Sequence, residues 1–390
     1  MCVDTLGRTF VRQLRSDFGL GVQECIGCLR NVSVALGDHG VLTTQIQSCA
    51  ISALLLAGER YFMMRRRFAH AWLIACASAA KPTTLQVATY NVLNPVHKSV
   101  GNNREADDDA LWLARGRRQA AFVADALGAA DVICFQEWFF EPRWSQLFEE
   151  ALPSHRLCTA RRRGIHPHDG SERRDGLAIF SRLPLIASED VVAPVFDDGR
   201  SGLVATLQRR GDRPVVVATC HLPFADAAAR QAQASACAAA AERQARRDDA
   251  SLTVLCGDFN ENAAAPACRG LETRGWTNVA AAAATLALDA GIGGTTFLGT
   301  THRAHTGDAL SCDHIFATDR TEGGQRSSGC FDAAGARLVA ARRVADAWDP
   351  DFVDSDHTPV VAEFSFRAAK ASADTVEADP FLPPWPDCIA

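Results

Sequence analysis

The chain has 390 residues, of which 47% are hydrophobic and 22% charged, and it carries a formal net charge of −6. That composition is ordinary for a soluble globular protein with a large core. The negative charge argues against tight nonspecific nucleic-acid binding, but not against a nuclease whose metal supplies the local positive charge. Residues 1–80 differ from the rest and show no strand-turn alternation continuous with that of the later residues. Within them, Arg65 to Arg67 precede a short, mostly apolar stretch and then small residues, the layout of a secretory signal. Leu73 to Cys76 resembles a bacterial lipoprotein cleavage box, and the stretch is too short to span a bilayer comfortably. Three readings compete: a true start at Met63 or Met64 with export, an amphipathic helix packed on the domain, or an extension.

From Leu85 onward the pattern is regular. LQVATYNVL reads as a strand and residues 98–110 as a polar loop. LWLARGRRQAAFVADALG has apolar positions at helical spacing and ends at Gly128. DVICFQ reads as a buried strand and GLAIFSRLPLI as one strand. SGLVATLQRRGDRPVVVATCHL reads as two strands joined at Gly211-Asp212. An alanine-rich helix runs from Ala227 to Arg247, the strand SLTVLCGDFN comes next, and a short helix spans Pro266 to Arg274. LSCDHIFA, ARLVAARRVADAW and TPVVAEFSF complete the strands, and residues 368–390 form a loose tail. The core is therefore 85–367, an α/β sandwich with two sheets face to face and helices outside. Periodicity alone does not give four layers.

Fourteen cysteines are present. Cys134, Cys220 and Cys256 sit in apolar runs and read as small buried hydrophobes. Nine lie after residue 80, an odd number without regular spacing, which favours reduced thiols and a reducing compartment. An intracellular protein is expected, with export or attachment through residues 63–80 as the alternative. Cys25 and Cys28 lack a matching second pair, so they read as ordinary thiols rather than a zinc site.

Polar clusters recur at the ends of apolar runs: Asn91, Gln136-Glu137, His221, Asp258-Phe259-Asn260, Asp313 and Asp356-His357. Any one of these is more often a turn or a helix cap. Together they read as strands delivering ligands to one rim. Glu137, Asp258, Asp313 and Asp356 follow or lie within apolar runs, and carboxylates there are rarely buried unless paired or metal-bound. Oxygen donors suit Mg²⁺, and Asn91 and Asn260 add neutral donors or ligands. His221 and His357 supply nitrogen near neutral pH. No cluster of His and Cys stands at zinc spacing, so a hard-cation phosphoryl site is the better inference.

TYNVLNP, FQEW, DGLAIFSR, TCHLPF, LCGDFN, SCDHIF and SDHTPV occur in the order found in the endonuclease/exonuclease/phosphatase superfamily, which the chain resembles over 85–367. That group includes deoxyribonuclease I-like nucleases, neutral sphingomyelinases, inositol polyphosphate 5-phosphatases and deadenylases. The resemblance implies a four-layer α/β sandwich of two mixed sheets. It also implies Mg²⁺ (or Mn²⁺) held mainly by Glu137 with Asn91, and with Asp356 beside it. Asp258 would orient or deprotonate the attacking water and Asn260 would hold a phosphate oxygen. His357 would contact the scissile phosphate with Asp313 as its orienting carboxylate, and His221 would be a second phosphate or leaving-group contact. Arg230 is a further candidate for substrate support, against a solvated helix arginine. His302 and His305, in a run resembling uncharacterised plant and algal members, are candidates to line the cleft, against an exposed loop. Asp175-Gly176 reads as structural.

There are departures from the family pattern. Trp138 stands where a small aliphatic is common and is expected to alter the rim. A catalytic tyrosine is missing where His221 stands, which argues against an abasic-site endonuclease. The acidic run Asp107-Asp108-Asp109 reads as solvated loop rather than a calcium loop. The expectation is a metal-dependent monomeric hydrolase of a small, lipid or nucleic-acid phosphate ester. An inactive binding module on the same fold is the rival reading.

Overall fold

The computed structural model describes residues 84–165, 170–191, 199–200, 202–209, 212–289, 300–303, 309–318, 336–344 and 354–366. The segment 1–80 with its signal-like stretch, the Cys25/Cys28 pair, His305 and the tail 368–390 lie outside the described residues.

In chain order, β1 (Thr84–Asn91), the short hairpin β2 (Ser99–Val100) and β3 (Asn103–Arg104), and helix α1 (Asp109–Leu127) come first. Next are β4 (Val132–Gln136), α2 (Pro142–Ala151), β5 (Arg156–Arg161) and β6 (Gly176–Ser181). Then come β7 (Leu185–Val191), β8 (Gly202–Leu207), β9 (Val215–His221), α3 (Ala227–Arg247) and β10 (Leu252–Asp258). The remainder is α4 (Pro266–Thr273), β11 (Thr277–Asn278), α5 (Val279–Asp289), β12 (His302–Arg303), β13 (Ala309–Leu310), β14 (Asp313–Thr318), β15 (Ala336–Arg343) and β16 (Val360–Phe366).

Two six-stranded sheets result, ordered β15-β16-β1-β4-β6-β5 and β11-β14-β10-β9-β8-β7. Each holds one parallel pair, β1 with β4 and β9 with β10, and the other pairings are antiparallel. Helix α1 lies between the strands of the first pair in sequence, and α3 between those of the second. One apolar cluster joins the facing sheets, including Val87, Val132 and Ile179 from one and Val217, Val254 and Ile315 from the other. A second packs the outer face of the first sheet against α1 and α2 through Trp112, Phe135, Trp144 and Phe148. A third packs the second sheet under α3 and α4 through Val216, Leu255, Ala238 and Leu271. The four layers are therefore helix, sheet, sheet, helix. The small side chains Ala234, Cys237, Ala238 and Ala241 of α3 are all buried, which lets that helix sit close on its sheet.

The structure corrects several sequence readings. GLAIFSRLPLI is not one strand: β6 ends at Ser181 and β7 begins at Leu185 in the other sheet. Ser181 closes the crossing, its Oγ accepting from Leu183 N at 3.0 Å, and Pro184 has no N–H for a ladder. The 98–110 loop contains the β2/β3 hairpin. Asp108 is not merely solvated, since its carboxylate caps α1 by accepting from Ala110 N at 2.8 Å. Trp138 does not line the rim; it is fully buried, 4.9 Å ring-to-ring from Phe148. Among the described cysteines no disulfide forms. No helix of the described residues is long and apolar enough to cross a membrane.

Candidate active site

Strand registers collect the polar strand ends. Asn91 pairs with Gln136 across β1/β4, and Asp258 pairs with both His221 and Asp313 across β9/β10/β14. Parallel neighbours end together, so both parallel pairs release their next residues at one rim. Beneath it, Gln136 Nε2 donates to Thr219 Oγ1 at 2.9 Å and to Thr89 Oγ1 at 3.0 Å, tying the two sheets.

The backbone leaves ordinary φ/ψ space at this rim. Glu137 has φ +58° and Asn260 φ +50°. Non-glycine residues in this region cost of order 1–3 kcal/mol each and persist only where surroundings hold them. At Glu137 the holder is Asn94, whose Nδ2 donates to the carbonyls of Glu137 (3.1 Å), Trp138 and Arg174. Asn94 N also donates to Glu137 Oε2 at 2.9 Å. At Asn260, Nδ2 donates to Leu222 O at 2.8 Å and the backbone N–H to Asp258 Oδ1 at 2.8 Å. Gly257 has φ +141°, and a Cβ there would fall 1.9 Å from the Cys220 carbonyl oxygen. Only glycine serves immediately before Asp258.

The side chains converge on one opening. Asn91 Nδ2 donates to Asp258 Oδ2 at 3.0 Å and to Glu137 Oε1 at 3.2 Å. Asn91 Oδ1 accepts from Leu93 N, so Asn91 bridges the two carboxylates through its donor. The sequence leaves Asn91 open as an oxygen ligand or a donor, and here its amide N–H faces the two carboxylates. His221 Nε2 lies 3.5 Å from Asp258 Oδ2 and 3.9 Å from Glu137 Oε1. His357 Nε2 lies 3.6 Å from Asp258 Oδ2, and its Nδ1 lies 2.8 Å from Asp313 Oδ2. A carboxylate only accepts, so Nδ1 carries a proton and Nε2 faces the opening. Asp356 meets His357 Nε2 at 3.9 Å and His302 Nε2 at 3.3 Å. His302 stacks on His357 with ring centroids 4.4 Å apart.

These neighbours set the protonation. Burial disfavours charge on His357, but the Asp313 and Asp258 carboxylates outweigh it and hold its pKa well above the ordinary value. Burial drives His221 well below the ordinary value, and Arg200 and Arg162 push the same way. Burial raises Asp258, with the nearby Asp313 charge adding to the rise, while His357 opposes it. A protonated imidazole thus faces a neutral one across a carboxylate of raised pKa, a pairing suited to acid–base work.

Arg230 stands apart. Its Nε donates to Glu261 Oε2 at 3.1 Å and its Nη1 to the carbonyls of Pro223 and Phe224. These bonds staple the loop after His221 to the loop after Asn260, so the side chain is not the solvated helix arginine that is the alternative to substrate support.

Several positioning residues escape a reading of the sequence. Arg115 is buried in α1, donating to Glu105 Oε2 (2.7 Å) and to the carbonyls of Val92 and Asp354 (2.9 Å each). Gln119 Nε2 donates to the same two carbonyls at 2.8 Å. Together they join the chain after Asn91 to the chain before His357. Ser355 Oγ donates to Asn91 O at 2.8 Å, and Thr301 Oγ1 accepts from Asp313 N at 3.0 Å. Their only sequence signal is polarity at buried-phase positions of α1 (Arg115, Gln119), which helical spacing from Trp112 to Val123 exposes.

The donor set fits a hard divalent cation. Among the described residues, the ion pairs of Glu137, Asp258, Asp313 and Asp356 run only to histidines. Asp313 Oδ1 and Asp356 Oδ1 are buried without a hydrogen-bond partner. Buried acceptors left this way call for a cation or water. Ligand atoms of Asp258, Cys312, Asp313 and His357 lie within 4.8 Å of one another, as do those of His302, Cys312 and His357. Burial holds the Cys312 thiol well above its ordinary pKa, so the oxygen donors suit a hard ion better than this sulfur does.

The sequence matches the model of the Endonuclease/Exonuclease/phosphatase family over residues 88–357. No curated protein matches it. Solved structures share the fold at low identity. A conserved protein of unknown function from Enterococcus faecalis V583 has TM-score 0.51 and 19% identity, covering 73% of this chain and 100% of that one. An endonuclease/exonuclease/phosphatase from Bacteroides vulgatus has TM-score 0.50 and 17% identity, covering 73% and 99%. ANGEL2, described as a 2′,3′-cyclic phosphatase, has TM-score 0.50 and 18% identity, covering 72% and 95%.

Proposed function

This chain belongs to the endonuclease/exonuclease/phosphatase family, and from that premise we propose that it hydrolyses phosphoric esters with the help of a divalent cation, Mg²⁺ or Mn²⁺. The observation that supports this reading most is His357 held between Asp313 and Asp258, 2.8 Å and 3.6 Å away. A lone structural histidine needs one partner; this one has a carboxylate on each nitrogen and an opening beside Nε2.

In this reading Glu137, with Asp356 beside the opening, would hold the cation, which when bound neutralises charge developing on phosphoryl oxygens. Asp258, with its pKa raised chiefly by burial, takes the proton of the attacking water. His357 donates from Nε2 to a phosphoryl oxygen, its charge supported by Asp313. Asn260 holds Asp258 through its backbone N–H and stands beside it for a phosphate oxygen. His221, kept neutral, contacts the phosphate or the leaving group. His302, stacked on His357, positions Asp356 through its Nε2.

The experiment is a screen of the full chain with Mg²⁺ and Mn²⁺. Its substrates are a phosphodiester dye ester, poly(A), double-stranded DNA, sphingomyelin and inositol phosphates. Cation-dependent release from at least one of them, abolished by EDTA, is expected. Absence of hydrolysis across the set with either ion would overturn the proposal.

A further inference from the structure

We propose that His302, Cys312 and His357, with Asp356 as fourth donor, form a zinc site that overlaps the hydrolytic one and blocks it when occupied. The blocking rests on the hydrolase reading; the binding of zinc does not. Ligand atoms of His302, Cys312 and His357 lie within 4.8 Å of one another. Two imidazoles and a sulfur are donors that zinc takes readily and that Mg²⁺ does not favour. These residues stand too far apart in sequence to show a zinc spacing, and the fold alone assembles them.

Backbone pairing delivers them. Arg303 N donates to Asp356 O at 3.0 Å, and Thr358 N donates to Thr301 O at 2.8 Å. The resulting antiparallel bridge sets His302 opposite His357. Flanked by those two bonds, they are a pair that exchanges none itself, the kind whose side chains come closest. The rings stack there with centroids 4.4 Å apart. Thr301 also holds the cysteine, since its Oγ1 accepts from Cys312 N and Asp313 N, each at 3.0 Å. Phe259 N donates to Cys312 O at 2.8 Å, so main-chain bonds on both sides fix the place of the thiol.

The ligating atoms follow from the contacts. Asp313 takes His357 Nδ1 at 2.8 Å, which leaves Nε2 to a metal with a carboxylate supporting the ring from behind. His302 Nε2 lies 3.3 Å from Asp356 Oδ2, and His357 Nε2 lies 3.9 Å from Asp356 Oδ1. Asp356 Oδ1 is buried without a hydrogen-bond partner, so a fourth donor is at hand beside both imidazoles. Tetrahedral zinc holds such ligands about 3.3–3.8 Å apart, so a contraction of about 1 Å closes the set. The Cys312 thiol reaches Asp313 Oδ2 only at 3.7 Å, a weak contact to give up. On binding, the Cys312 S–H bond breaks, the proton leaves to solvent and the sulfur electron pair goes to zinc; the His357 Nε2 proton leaves in the same way. Cys312 is buried, but the His302 and Asp356 side chains are 20% and 24% exposed, which gives an entering ion its path. With zinc on His357 Nε2 and Asp356, the first no longer meets a phosphoryl oxygen and the second no longer meets the hard cation.

The test uses the metal-free full chain carrying Cys25→Ser and Cys28→Ser, so that zinc on that pair is not counted. It is titrated with Zn²⁺ by calorimetry and with Co²⁺ by absorption. Adding Cys312→Ser is expected to weaken zinc at least about tenfold at unchanged circular dichroism. Co²⁺ is expected to give a thiolate-to-metal charge-transfer band in the near ultraviolet that Cys312→Ser abolishes. Should the serine variant not fold, Cys312→Ala removes the same sulfur and is read in its place. An unchanged zinc affinity without the sulfur, or no charge-transfer band in the parent, would overturn the site. Zinc is also expected to inhibit Mg²⁺-stimulated hydrolysis, with Cys312→Ser as active as its parent and needing at least about tenfold more zinc for the same inhibition. Equal zinc sensitivity of the two would overturn the blocking. If the chain hydrolyses no ester, the hydrolase reading fails, and calorimetry and absorption still decide the zinc site.

Discussion

Arg115→Met removes the cation of a buried pair on which the active-site loops hang. The Arg115 and Glu105 side chains are 1% and 5% exposed, and Nε donates to Oε2 at 2.7 Å. Breaking one side of such a pair strands the other charge and costs about 3–5 kcal/mol. The Val92 and Asp354 carbonyls keep Gln119 as a donor, so little is added for them. Urea unfolding should therefore show the midpoint falling by about 1 M or more at unchanged slope. Adding Glu105→Leu should recover most of the loss, because the pair is then replaced by apolar groups of similar size. Since Arg115 ties Asp354 to Val92, the single variant should also lose kcat while folded. A loss below about 1 kcal/mol, or a double variant as unstable as the single one, would refute the buried-pair reasoning.

His357→Ala and Asp258→Ala should each lower kcat by about 10²-fold or more with smaller effects on KM, since both act on protons and charge in the transition state; near-wild-type kcat for either removes it from the mechanism. Asp313→Asn should cost activity without weakening cation binding, and combined with His357→Ala it should be hardly worse than His357→Ala alone; an additive double variant would contradict their acting as a unit. The raised pKa of His357 gives a stability contribution that is complete below its unfolded value of about 6.5 and is lost as pH rises through the folded value. The melting-temperature advantage of metal-free wild type over His357→Gln should therefore shrink on going alkaline from there, and a widening gap would contradict it. Gly257→Ala should prevent stable folding or cost several kcal/mol, about what a Cβ forced against the Cys220 carbonyl at positive φ implies; a soluble variant of wild-type melting temperature would refute that.

Much of the fold is legible in the sequence because apolar runs and their ends carry it. The alanine-rich helix reads as Ala227 to Arg247, the span the structure gives it. Strands β4, β9 and β10 are fully or almost fully buried, so their sequences are mostly apolar up to the polar residue at each end. The break at Arg182 to Pro184 is not legible, since β6 and β7 are both apolar enough to read through and only the sheet assignment separates them. Helix α2 is legible but missing from the sequence reading: Trp144, Leu147, Phe148 and Ala151 stand at helical spacing and pack on the outer cluster of the first sheet. Of the site, Asn91, Glu137, His221, Asp258, Asn260, Asp313, His302, Asp356 and His357 do converge. Arg230 is held instead by the nearby carbonyls of Pro223 and Phe224 and by Glu261, 31 residues on. Asn94, Arg115, Gln119, Ser355 and Thr301 act through backbone carbonyls and amides of remote segments, and such partners leave no trace in a one-dimensional pattern.

Glu137→Gln in the full chain is the most direct measurement of the central claim, because it swaps one carboxylate oxygen for an amide at the residue assigned to the cation. Mg²⁺ and Mn²⁺ binding by calorimetry and cation-stimulated hydrolysis of the best ester substrate would be read together, with circular dichroism to establish the fold. The account predicts unchanged circular dichroism, cation binding weakened at least about tenfold, and hydrolysis below about a tenth of wild type at saturating cation. A folded Glu137→Gln protein that binds the cation as wild type does, or that keeps more activity than that, would contradict it.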